Sequence, residues 1–144
     1  MQNGIYFVTV CVKERHHLFG SVRDGKMVLS ENGEHARRCA EQIERVYPSV
    51  ILNEFVVMPN HVHLLMTFAD YDANPLLKRV ISQYKAAVTK EMGFSPWQDG
   101  SYPRAILTNK KYKIVKQYIK ENPARWETDQ FALRLGEYDS PPEV

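Results

Sequence analysis

Two histidines separated by one residue, His61 and His63, are the side chains of this sequence best suited to binding a metal ion. Residues two apart on a strand point to the same face, so the two imidazoles would project side by side, about 7 Å apart at Cα. Imidazoles at this spacing can converge on one divalent cation. An exposed histidine pair without a function is the simpler interpretation of the spacing alone.

A tyrosine in the helix predicted over residues 109–122 is the candidate nucleophile. Tyr118 and Asn122 are one turn apart and share a helix face, so Asn122 is a candidate oxygen ligand or orienting group. A free tyrosine has a pKa of about 10, so it attacks only where its phenolate is stabilised. The chain has eight tyrosines. A tyrosine in an apolar helical stripe commonly belongs to the core, and Tyr84, also on a stripe, is the main rival.

Basic and aromatic residues near these elements suggest a nucleic-acid partner. Trp97, Tyr102 and Trp126 could stack on unpaired bases. A solvated helix face and ordinary packing explain such residues equally well. Because the net charge is only +2, any basic surface must be local. The candidate DNA contacts are Lys85, Arg104, Lys110, Lys111 and Lys116.

Length and composition limit the class of protein. The 144 residues suit one domain with one core, which we predict as a catalytic domain over residues 1–130 followed by a tail over 131–144. We find no apolar stretch of membrane-spanning length and no signal peptide. Cys11 and Cys39 fit no zinc or disulfide spacing. We therefore predict a cytoplasmic protein that does not bind a membrane.

Hydrophobic periodicity predicts the elements that position the candidate residues. The predicted strands cover 5–12, 27–29, 50–58, 61–68 and 101–108, and the predicted helices cover 31–47, 75–92 and 109–122. Pro59 and Asn60 link two strong strands so tightly that these must form an antiparallel hairpin. One face of the second strand is wholly apolar and must cover the main core: Val62, Leu64, Met66 and Phe68. The histidines are thus predicted on the opposite face, away from the main core.

The order β-α-β-β-α-β is the ferredoxin-like, split βαβ pattern. The predicted fold class is therefore α+β, an antiparallel sheet with helices packed on it. An extra C-terminal helix carries Tyr118. Ser30 or Asn32 is expected to cap the first helix, and Asn74 with Pro75 to begin the second.

Several motifs in their order along the chain resemble the REP-associated tyrosine transposases. These belong to the wider group of single-strand transposases with a His-hydrophobic-His motif. The central match is FVVMPNHVH, from Phe55 to His63. The other matches are YFVT from Tyr6, LFG from Leu18, YKAAVTK from Tyr84, WQ from Trp97, and YIKENP from Tyr118 followed by Trp126. Together they cover nearly the whole chain and are far more specific than one His-x-His.

The resemblance implies a definite function: metal-dependent cleavage and rejoining of single-stranded DNA next to a hairpin, as in DNA transposition. His61 and His63 would hold Mg²⁺ or Mn²⁺, of which histidine favours manganese. Asn122 matches the place of a third ligand. Tyr118 matches the nucleophile, whose attack would leave a 5′-phosphotyrosine and a free 3′-hydroxyl. The phosphotyrosine keeps the bond energy, so a second strand is joined without ATP.

Two departures from the family pattern affect DNA contact. After the WQ motif the family usually has a His and an Arg in the next strand, whereas Arg104 and Leu107 stand about there in this chain. The family also commonly carries a longer N-terminal arm that helps to read the hairpin. This chain begins just ahead of Gly4, so either the protein is naturally short or its arm is missing. In both cases we expect weaker sequence-specific recognition.

The alternative to an enzyme is a domesticated transposase, a catalytically inactive module that binds single-stranded or hairpin nucleic acid. The presence of His61, His63 and Tyr118 argues against a loss of catalytic activity. The lack of the family's usual His and Arg in the strand after the WQ motif argues for such a loss. A third hypothesis is a replication initiator or relaxase, but the small size and the Asn122-Pro123 motif favour the transposase group. A zinc protein lacks a third His or Cys at a useful spacing. A homodimer and a monomer both remain open.

Overall fold

The computed structural model describes residues 4–69 and 73–126. The predicted tail over 131–144 lies outside them. The strands are β1 (Gly4–Cys11), β2 (Gly20–Arg23), β3 (Lys26–Leu29), β4 (Val50–Met58), β5 (His61–Phe68) and β6 (Tyr102–Ala105). The helices are α1 (Glu31–Glu41), α2 (Ile43–Val46), α3 (Ala73–Met92) and α4 (Asn109–Glu121). None of the helices in these two ranges is long and apolar enough to cross a membrane.

Four of the strands form an antiparallel sheet in the order β4-β5-β1-β6. β1 and β5 occupy the centre, as their β-branched and aromatic sequences favour. The connections from β1 to β4 and from β5 to β6 each contain helix and each skip one strand. This is the ferredoxin-like, split βαβ arrangement. The predicted fold class is therefore confirmed.

The two faces of the sheet are covered differently. Val62, Leu64, Met66 and Phe68 point into the main core, which α1 and α3 cover. The alternate residues of β5 point to the opposite face. On that face α4 packs across β4 and β5, and its buried side chains join a second, smaller core. We call this second surface the α4 face; its core consists of Phe7, Leu65, Ile106, Val115 and Ile119.

The helix predicted over residues 31–47 is divided in two. It begins as predicted, because the Ser30 side chain accepts a hydrogen bond from the backbone N–H of Gly33. It is interrupted at Gln42, whose N–H is shared between the carbonyls of Arg38 and Cys39. The added bond to Cys39 is of the 3₁₀ type, between residues three apart, and the regular α-helical hydrogen bonding ends there.

Other boundaries also differ from the sequence prediction. Residues 27–29 fall within β3, which pairs with β2 in a separate two-stranded sheet. The strand predicted over 101–108 ends at Ala105, because Thr108 instead caps α4 by accepting from the N–H of Lys111. Asn74 and Pro75 lie inside α3 as described rather than ahead of it.

Candidate active site on the α4 face

The histidine pair lies at the start of β5, on the α4 face. The ring centroids of His61 and His63 are 4.8 Å apart, close enough for both imidazoles to approach one ion. Both side chains are buried, with exposed fractions of 1% and 0%. The prediction that they point away from the main core is confirmed, but the accompanying idea of a surface pair is wrong. Tyr118 of α4 and Trp126 pack against the rings and give this face a core of its own.

Each histidine is oriented by a neighbouring side chain. His61 Nδ1 lies 2.7 Å from Asn60 Oδ1, so this ring nitrogen donates its proton to the amide oxygen. His63 Nδ1 lies 2.9 Å from Thr9 Oγ1 on β1, the strand position directly opposite. With Nδ1 of each ring engaged, Nε2 is the nitrogen through which each would bind a cation. Metal-binding histidines are commonly fixed by hydrogen bonds of this kind.

Both histidines are held in the neutral form that a metal requires. Burial lowers the pKa of His63 to about 3. Burial also lowers the pKa of His61 well below its usual range, and the neighbouring His63, Arg15 and His17 lower it further. The donor set therefore fits a divalent cation held by two imidazoles. Among residues 4–69 and 73–126, no group of three His, Cys, Asp or Glu side chains could hold a metal.

These pKa shifts predict that the metal-free protein loses stability as the pH falls. The unfolded histidines titrate near 6.5 and the folded His63 near 3, so between these values only the unfolded state takes up the protons. The stabilisation is complete above pH 6.5 and is lost as the pH falls towards 3. Between pH 7.5 and 5.5 His63 should lower the free energy of unfolding by roughly 1 kcal/mol, and His61 should change it in the same direction. Urea unfolding in chelator at the two pH values measures this.

The control for the pH experiment is the exposed His16. His16→Ala should keep the wild-type pH dependence, whereas His63→Leu should reduce it. An unchanged dependence in His63→Leu would contradict the buried, neutral state of this ring.

The candidate nucleophile, Tyr118, lies against the histidine pair. Its ring centroid is 5.6 Å from that of His63 and 6.2 Å from that of Phe7. The side chain is half-buried, so its ring is fixed by packing while part of it reaches solvent. The rival Tyr84 lies in the main core, only 1% exposed, and its hydroxyl donates to the carbonyl of Ala36. Burial raises the pKa of Tyr84 well above its usual range, which opposes formation of a phenolate there.

The candidate third ligand, Asn122, forms the C-cap of α4. It is buried, 3% exposed, and its Nδ2 donates to the Tyr118 carbonyl at 3.4 Å. The amide is thus tied to the turn that carries the tyrosine. A cation would be bound through the other amide atom, Oδ1, because nitrogen is the donor in this bond.

Four contributors to the site were not predicted from the sequence. Thr9 was hidden because its position opposite His63 depends on the register of β1 with β5. Asn60 was interpreted only as a turn residue, although it directly precedes His61 in the motif. Arg15 and His17 both act electrostatically on His61. The backbone of Arg15 lies in the left-handed region, with a φ of 58°.

The three aromatic candidates differ in their contacts. Trp126 is buried and stacks on His61, with ring planes 23° apart and centroids 6.4 Å apart. Trp97 belongs to the main core, and its Nε1 donates to the carbonyl of Lys85. Trp97 is therefore unsuited to stacking on a base, while the half-buried Tyr102 stays a candidate.

The five predicted DNA contacts lie on three different elements. The Lys85 ammonium donates to the carbonyls of Gln98 and Gly100, which gives it a structural role. Arg104 lies on β6 opposite Phe7, hence on the α4 face, and is half-buried. The other three lie on α4: Lys110 and Lys111 are exposed, and Lys116 extends over the Tyr112 ring.

Fold and site together define a class: a ferredoxin-like α+β domain in which a His-x-His strand faces a tyrosine on a C-terminal helix. The structure is similar to that of a REP-associated tyrosine transposase bound to a REP hairpin. The TM-score is 0.69 at 24% identity, over 87% of this chain and 69% of that one. A candidate transposase from Deinococcus radiodurans gives a TM-score of 0.57 at 17% identity, over 83% and 91%. The resemblance inferred from the motifs is thus confirmed at the level of the fold.

A relative is also found by sequence. An uncharacterized protein from Haemophilus influenzae is 31% identical in an alignment of 151 positions, which includes 88% of this chain and 84% of that protein. The chain belongs to the same family as this protein. No protein-family model matches the chain.

Proposed function

We propose that this protein cleaves and rejoins single-stranded DNA next to a hairpin, in a metal-dependent reaction that passes through a 5′-phosphotyrosine. The observation that carries the proposal is the contact of the Tyr118 ring with the buried histidine pair, 5.6 Å from His63 between ring centroids. The likeness in fold to a transposase bound to a REP hairpin supports a DNA hairpin as the partner.

In the proposed reaction the Tyr118 Oη forms a bond to phosphorus as the bond from phosphorus to the 3′ oxygen breaks. The phenol proton is lost to solvent or a base, and the departing 3′ oxygen takes up a proton. The reverse reaction with another 3′-hydroxyl joins a second strand. One phosphodiester replaces another in each direction, so no energy-rich cofactor is consumed. Packing of the Tyr118 ring against Phe7 and His63 limits its rotation and favours a single direction of attack.

The residues around Tyr118 would hold Mn²⁺ or Mg²⁺ beside the nucleophile. His61 and His63 supply two neutral imidazoles, and Asn122 supplies an amide oxygen from the same helix end as Tyr118. Asn60 and Thr9 keep the imidazoles in orientation through their Nδ1 atoms. A bound divalent cation would polarise the phosphate and stabilise the phenolate. Trp126 stacks on His61 and covers that side of the ring.

The basic residues have two proposed roles: four contact DNA, and one stabilises a loop of the protein. Arg104, on the same face as the histidines, and the exposed Lys110 and Lys111 are proposed to contact phosphates near the site. Lys116 would contact the strand from the next turn of α4. Lys85 acts through the loop that it braces rather than through DNA.

A denaturing gel with labelled hairpin DNA that carries a single-stranded extension tests the proposal. In Mn²⁺ the wild-type protein should form a covalent protein–DNA adduct that survives denaturation, and the adduct should disappear with chelator. A gel shift without any adduct would overturn the catalytic proposal. That result would favour the inactive nucleic-acid-binding module.

A further inference from the structure

A row of polar side chains crosses the sheet from the histidine pair to the edge strand. His63, Thr9 and Tyr102 stand directly opposite one another on β5, β1 and β6. Residues directly opposite in an antiparallel sheet project from the same face, so all three belong to the α4 face. β6 lies two strand spacings from β5, about 10 Å. A short stretch of a nucleic-acid strand spans that distance.

The Tyr102 side chain is held by Gln98, and the loop that carries Gln98 is held by Lys85. Gln98 Nε2 donates to the Tyr102 hydroxyl at 2.8 Å. The carbonyls of Gln98 and Gly100 in turn accept from the Lys85 ammonium, at 3.1 Å and 2.9 Å. Gly100 takes a φ of 81°, which a glycine adopts without strain. A half-buried ring fixed in this way loses little conformational freedom when a ligand covers it.

The surroundings of Tyr102 suit a nucleic-acid strand. β6 is an edge strand, so a ligand can approach it without displacing another strand. Arg104 follows two residues later and points to the same face. Beyond β6 the chain continues to the exposed Lys110 and Lys111 at the start of α4. Aromatic rings stack on bases while basic groups contact phosphates, and this combination is typical of single-strand binding.

We propose that Tyr102 stacks on one unpaired base of the single-stranded DNA beside the cleaved bond, with Arg104 at the adjoining phosphate. The proposal rests on the proposed function, because the cleaved bond must lie at Tyr118. A base fits this edge better than an added protein strand, since Pro103 at the centre of β6 lacks the N–H that strand pairing uses. Lys85 and Gln98 are positioning residues for the ring.

Binding measurements with abasic DNA test this contact. The probe is a labelled hairpin whose single-stranded extension carries one abasic site at a time, bound by protein carrying Tyr118→Phe to prevent cleavage. Adding Tyr102→Ala should raise Kd for intact DNA roughly tenfold. One abasic position should weaken binding by the protein with Tyr102 and have no further effect once Tyr102 is alanine. Tyr102→Phe should keep the dependence on that position.

The control is Tyr47→Ala, a half-buried tyrosine that packs against the helix-covered core. It should preserve the dependence on the abasic position. If Tyr102→Ala and every abasic site weaken binding independently, the stacking contact is overturned and the ring is structural. The wild-type adduct assay separates the two proposals. An adduct without this coupling defeats only the stacking contact. Coupling without an adduct defeats the chemistry, and with it the placement beside a cleaved bond, but leaves Tyr102 stacked on a base of the bound DNA. Absence of DNA binding by the wild type defeats both.

Discussion

Replacing Tyr118 by phenylalanine should abolish the covalent DNA adduct while leaving DNA binding nearly unchanged. The substitution removes the only atom that could form the phosphotyrosine at this position and keeps the ring that packs on His63 and Phe7. We expect adduct formation to fall by roughly 10³-fold or more. The Kd for hairpin DNA should change by no more than about twofold. Denaturing gels measure the first quantity and fluorescence anisotropy the second.

The matched control is Tyr84→Phe. This change removes the hydroxyl that donates to the Ala36 carbonyl in the main core, which should cost about 1 kcal/mol of stability. Its adduct should nevertheless form at the wild-type rate, because Tyr84 lies beneath the helices on the opposite face of the sheet. An adduct that persists in Tyr118→Phe would place the nucleophile on another residue and end the proposed role of α4.

The strand that carries the histidines was predictable because its signals are local. Pro59 and Asn60 indicate a tight link, and the alternation along 61–68 separates an apolar face from the one with His61 and His63. The hairpin of β4 with β5 and the direction of both side chains follow from these two facts. Periodicity within one segment is enough to determine them.

The burial of the histidine pair was not predictable in the same way. It depends on α4, about fifty residues later in the chain, packing over this face of the sheet. The apolar stripe of that helix, with Val115 and Ile119, shows that it packs on something. A stripe does not indicate which of two faces it will cover. For this reason a pair expected near the surface is enclosed beneath Tyr118 and Trp126.

The choice among tyrosines likewise required the tertiary structure. Tyr84 and Tyr118 both lie on helical stripes, and only the family resemblance favoured one of them. Their difference is the sheet face that each helix covers: α3 covers the main core and α4 the histidines. Thr9 was hidden for a related reason, because 54 positions separate it from His63 and only strand register brings them together.

Replacing His63 should remove both a cation ligand and part of the smaller core. His63→Ala deletes ring contacts to Phe7 and Tyr118 and leaves the Thr9 hydroxyl without its imidazole partner. We expect a loss of roughly 2–4 kcal/mol in the free energy of unfolding, because the ring is buried. Adduct formation should be lost even well below the melting temperature. Thermal unfolding, followed by the adduct assay on the folded variant, measures the two effects.

The cation role is separated from the structural one by His63→Gln and His61→Gln, which keep a polar group of similar size at each position. Saturating Mn²⁺ should raise the melting temperature of the wild-type protein by several degrees, since an ion that binds only the folded state stabilises it. Both glutamine variants should lose most of this shift, whereas His16→Ala, with its exposed ring, should retain it. A shift of wild-type size in both variants would place the cation away from the pair. An adduct that the wild type forms equally well in chelator would remove the metal from the proposed reaction and leave Tyr118 to act without it.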